Sequence, residues 1–91
     1  MTDYRLYIVF RDSARLESIN RLVDMVNVIT NDAVSARPMD ITQRTLILTG
    51  FPDKAVRRRC YHDIHSRYHN MVRSISEVDF KTKKETVNEE G

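Results

Sequence analysis

A chain of 91 residues with 41% hydrophobic and 31% charged side chains is long enough for one two-layer core and too apolar to stay unfolded. No apolar run reaches the length of a membrane-spanning helix, and a single cysteine, Cys60, rules out an internal disulfide and a zinc site built from cysteines. The net charge of +2 conceals an uneven distribution, because residues 1–53 carry six Lys/Arg against seven Asp/Glu while residues 54–84 carry nine against three.

The opening MTDYRLYIVF puts Asp3 and Arg5 where a secretory signal needs a basic start and a longer apolar stretch, so the expected location is cytoplasmic. Within it, Arg5 to Phe10 alternates at the period of a strand, with Leu6, Ile8 and Phe10 on one face and Arg5, Tyr7 and Val9 on the other. Asp12 or Ser13 can then cap a helix whose apolar positions Leu16, Ile19, Leu22, Val23, Val26 and Ile29 recur at three and four residues. Asn27, Asn31 and Asp32 and the β-branched residues around them favour an exit before Asn31.

Val34 to Met39 predicts an edge strand, since Pro38 lacks a donor and only an edge tolerates that; residues 40–43 make a turn. Arg44 to Phe51 predicts a second strong strand, closed by Gly50 and Pro52, and Asp53 stands where an N-cap oxygen belongs. The helix that follows is expected to run to about Ser74, with a last strand over Ser76 to Lys81 and a disordered, charged tail over 82–91.

The order β-α-β-β-α-β, with helices that each show one apolar face, predicts an α+β domain over residues 1–81. Both helices pack on one side of a four-stranded antiparallel sheet, a ferredoxin-like arrangement. The succession of RLYIVF, the turn RDSA, a helix, VSARPM, RTLILTGF, a second helix and a strand after MVRSISEV resembles the ACT-like regulatory domains over roughly residues 4–81. That resemblance implies a regulatory role. ACT domains place a glycine and their effector site in the turn after the first strand. Here Arg11, Asp12, Ser13 and Ala14 occupy it, so no effector-binding residue is carried over.

The segment RRRCYHDIHSRYH (57–69) gathers three histidines and the cysteine. At about 100° per residue, Cys60, Tyr61, Ile64, Tyr68, Met71, Val72 and Ile75 share one arc, while Arg58, His62, His65, His69 and Arg73 share another that Arg59 extends. Two histidines at i,i+3 or i,i+4 can reach one metal ion, but His62 and His69 lie about 10 Å apart along the axis, and Ser66 stands where a zinc-protease helix has its glutamate. No metal site and no cofactor are expected. Cys60 falls on the apolar arc, Asp63 does not face its neighbouring histidines, and no glycine-rich phosphate loop exists, so no enzyme activity is expected.

Arg58, Arg59, His62, His65, His69 and Arg73 therefore form a candidate surface for an anion or a partner, although any surface helix needs a wet side of this kind. On the open sheet face, Arg5, Tyr7, Val9 and Ile47 form a candidate interface. They lack the aromatic platform and signature of an RNA-recognition motif. The expected function is a non-enzymatic module that binds and modulates a larger protein, as a homodimer, whether in a cell's own regulation or as a small viral or accessory inhibitor of a host machine. The alternative is a nucleic-acid-binding module that contacts phosphates through the basic side of the second helix.

Overall fold

Alternation in the first segment extends further back than its apolar run. In the computed structural model, which describes residues 2–40 and 44–81 with the side chains of 37–40 excepted, strand β1 spans Thr2–Phe10. Helix α1 follows over Leu16–Thr30, β2 over Ser35–Asp40, β3 over Thr45–Phe51, α2 over Lys54–Tyr68 and β4 over Val72–Lys81. The strands form one antiparallel sheet in the order β2-β3-β1-β4, which is the ferredoxin-like arrangement with β2 and β4 at the borders. The turn expected over 40–43 and the tail over 82–91 fall wholly or mostly outside the described residues.

The core lies between the sheet and the helices. Leu6, Ile8 and Phe10 of β1 and Leu46, Leu48 and Phe51 of β3 are buried against Leu22 and Val26 of α1 and Cys60 and Ile64 of α2. Side chains such as Leu6, Ile8, Leu22, Leu48 and Ile64, with no exposed surface, each stabilise the fold by roughly 1.5–3 kcal/mol. Both central strands offer alternating apolar residues, and the sheet therefore has one face toward the core and one away from it.

The ends of α1 differ from expectation in one case and match it in the other. Arg15, not Asp12 or Ser13, occupies the N-cap position, and it makes no side-chain capping bond. Asp12 and Ser13 lie in the preceding turn, where the Ala14 amide donates to the Arg11 carbonyl at 3.0 Å. Leu16, expected on the apolar stripe, is 71% exposed in the first turn. At the other end the helix stops at Thr30, with Asn31 in the left-handed conformation that closes helices, its amide shared between the Asn27 and Val28 carbonyls.

Gly50 interrupts the end of β3 with φ +91°, and a Cβ there would stand 2.8 Å from the Ala33 carbonyl oxygen. Only glycine fits both conditions. Next, Asp53 caps α2 as expected, its Oδ1 accepting from the Val56 amide at 2.9 Å.

α2 ends at Tyr68, a turn and a half short of the expected Ser74, and β4 begins at Val72 instead of Ser76. Met71, Val72 and Ile75 do contribute to the core, but from a turn and a strand. Their spacing satisfies the helical arc and the strand alternation alike. What decides between them is β1, which pairs with β4 from Thr2 opposite Lys81 to Phe10 opposite Val72, so continuing the helix would leave the last residues of β1 without hydrogen-bonding partners on that side.

Candidate functional site

The sheet pairings fix which residues share the face that no helix covers. Tyr7 lies directly opposite Ile47 on β3 and Ser76 on β4, and Val9 lies opposite Thr45 and Ser74. Arg5 is opposite Val78, and Asp3 opposite Phe80. Arg5, Tyr7, Val9 and Ile47, the residues expected on this face, are all there and half-buried. β4 adds Val78 and Phe80, which sequence analysis passed over although the alternation of Ser76, Val78 and Phe80 places them together. Phe80 is 48% exposed, and the Arg5 guanidinium sits 4.5 Å from its ring centre while its Nε donates to Asp3 at 2.7 Å. The pair holds the long arginine flat over the aromatic edge of the patch.

The other side of β4 faces the helices. Glu77 opposes the core residue Leu6, and Asp79 opposes Tyr4, so both carboxylates point under the first turns of α2. Arg57 meets them there. It is 5% exposed, its Nε donates to Glu77 Oε2 at 3.2 Å, and one Nη donates to Asp79 and to the Val78 carbonyl at 3.0 Å. Its plane also lies 5.3 Å from the Tyr4 ring. Sequence analysis did not place this residue, yet on the helical wheel it falls between Ile64 and Tyr68, in the middle of the buried arc.

Arg58, expected to present its charge to an anion, instead gives it to Glu77, 2.6 Å away, while its side chain remains 58% exposed. Lys54 reaches Asp79 at 3.5 Å. Two acids thus take up three cations of α2, and the positive excess of residues 54–84 lies away from Lys54, Arg57 and Arg58. The Arg57 hydrogen bond holds the Asp79 carboxyl below the ordinary carboxylate range.

His62, His65 and His69 and the side chain of Arg59 are exposed, as expected. Arg73 is exposed as well, but it projects from β4 and does not continue the helical stripe. Tyr61, assigned to the core, is only half-buried; its ring stacks parallel to His65 at 6.4 Å and stands edge-on to His62 at 5.6 Å. Tyr68 is half-buried too.

The arrangement divides the supposed single stripe into separate places. Arg59 lines a groove of about 460 Å³ between the helices, where Arg21 and Arg67 face Asp24 and Asp63 in mixed charge. His65, His69 and Arg73 line a different pocket of about 350 Å³ with Arg11, floored by Tyr61, Val72 and Ile75.

Cys60 is fully buried, and desolvation pushes its thiol up to about 11, which leaves it protonated and unreactive at neutral pH. Among the described residues no three His, Cys, Asp or Glu side chains gather within reach of one metal ion, and no helix is long and apolar enough to cross a membrane.

The sequence matches no known family profile and no curated protein. Solved structures do resemble the chain. The solution structure of the hypothetical Arabidopsis thaliana protein At3g17210 aligns over 90% of this chain and 88% of its own with a TM-score of 0.63 at 13% identity. A structural-genomics protein named YjcS aligns over 89% of this chain and 100% of its own with a TM-score of 0.54, again at 13% identity. At that identity the likeness establishes the fold alone.

Proposed function

We propose that the chain is a non-enzymatic interaction module that pairs with a second copy of itself through its open sheet face and, as that pair, binds and modulates a larger protein. The observation that carries the proposal is the patch of Tyr7, Val9, Ile47, Val78 and Phe80 on a sheet face that neither helix covers. Apolar residues from three adjacent strands share this face, with Arg5 and Ser76 among them, and a second sheet is the natural cover for such a face. Ser74, Ser76, Thr45 and Thr49 around it are neutral, and the Arg5–Asp3 pair beside Phe80 is charge that the pairing must accommodate.

Sedimentation equilibrium tests the pairing. The wild-type chain is expected to dimerise, and Ile47→Asp, which puts a carboxylate at the centre of the patch opposite Tyr7, to leave a folded monomer. A wild-type chain that stays monomeric at high concentration would remove this proposal. The nucleic-acid alternative has less support, because Arg58 is already engaged by Glu77 and Arg59 shares its groove with acids.

A further inference from the structure

At the other end of α2 and β4 from the Arg57 cluster, the sheet, α2 and the turn after β1 converge on the 350 Å³ pocket, a volume at the lower end of the range for small-molecule sites. Arg11 comes from the turn, His65 and His69 from the end of α2, and Arg73 from the start of β4; none of the lining residues is acidic. Among the described residues the Arg11 and Arg73 side chains form no ion pair, in contrast to Arg5, Arg57 and Arg58. Their forks are free to take an oxyanion in two parallel hydrogen bonds, and each imidazole can add a ring N–H.

The backbone ties the turn that carries Arg11 to the chain just before Arg73. The Arg11 amide donates to the Met71 carbonyl at 2.8 Å, tying the turn to the segment that leads into β4. From the sheet side the Arg44 guanidinium donates to the carbonyls of Arg11, at 3.1 Å, and Ala14, which braces the same turn from within. Tyr61 and Ile75 supply an apolar wall beside this charge. A bare inorganic ion has no use for such a wall, whereas a small molecule with an oxyanion at one end and an apolar or aromatic body at the other fits both parts.

We infer that this pocket binds a small amphiphilic oxyanion, a phosphate monoester or carboxylate with an apolar body, held by Arg11 and Arg73 with His65 and His69 at the rim. The inference does not depend on the pairing of sheet faces and survives if the chain is a monomer.

Phenyl phosphate is the probe, titrated into the full chain and followed by amide chemical shifts and calorimetry, with phenol as the neutral control. The expected result is saturable binding with shifts concentrated at Arg11 and over residues 61–75. Arg11→Ala or Arg73→Ala should each weaken binding about tenfold, the loss of one charged hydrogen-bonding partner. Both side chains are exposed, so alanine leaves the core untouched. Arg67→Ala, which removes an exposed arginine of the interhelical groove, should leave affinity unchanged. No saturable binding, equal affinity for phenol, or equal losses from Arg67→Ala and Arg73→Ala would overturn the assignment.

Discussion

Arg57 and Glu77 stand twenty residues apart in sequence and join Nε to Oε2 at 3.2 Å, one from the inner side of α2 and the other from the inner side of β4. With side-chain exposures of 6% and 17%, the pair is nearly removed from water, and the Asp79 carboxylate and Val78 carbonyl complete the arginine's partners. This cluster fastens the start of the second helix to the far end of the last strand.

Arg57→Ala should therefore cost roughly 2–4 kcal/mol in urea unfolding, because it removes the buried guanidinium from Glu77, Asp79 and the Val78 carbonyl at once and leaves Glu77 only the exposed Arg58. Arg58→Ala, one residue on and exposed, should cost about 0.5 kcal/mol or less, since exposed bridges contribute little. Equal effects from the two substitutions would show that the buried placement of Arg57 is wrong.

The depressed Asp79 carboxyl gives stability a pH dependence of fixed sign. The folded state keeps this group ionised to lower pH than the unfolded chain does, so its contribution is complete above the ordinary value of 3.8 and is lost as pH falls through the lower folded value. Asp79→Asn should flatten the acid limb of a stability profile measured by urea unfolding, with no change in its shape above about pH 6.

Gly50→Ala places a Cβ against the Ala33 carbonyl in a backbone conformation that alanine resists. A loss of about 1–3 kcal/mol is expected, and a thermal melt reads it directly. Unchanged stability would mean that β3 ends in a different conformation.

Cys60 should react with iodoacetamide at neutral pH only as fast as the protein unfolds, since its thiol is buried and protonated. Labelling should accelerate in step with urea denaturation followed by circular dichroism. Rapid labelling of the native chain would contradict the burial of this helix face.

The fold was legible because each central strand and α1 show a single periodicity: Leu6, Ile8 and Phe10 alternate and nothing competes with them. The end of α2 was not, since Met71, Val72 and Ile75 fit two periods and only the length of β1 chooses between them. Arg57 shows a different limit. Its wheel position lies in the apolar arc, but a charge can be buried there only because Glu77 and Asp79 arrive from a strand whose register the sequence does not reveal. For the same reason Arg58 looked free for an anion, and Arg73, assigned to the helix, was grouped with Arg59, which the structure puts in another groove. Arg5, Tyr7, Val9 and Ile47 could be placed on the open face because alternation alone decides them, and Phe80 was equally accessible to that argument.

β4 forms a border of the sheet, and one row of its backbone donors and acceptors looks outward along ten residues, an open template for a strand from another molecule. Its helix-side acids make that template selective. A chain adding itself there would have to place its own side chains beside Glu77 and Asp79, which are already saturated by Arg57, Arg58 and Lys54. The cluster that anchors the helix thus also sets the side chains that a strand added at this border would meet on its helix side.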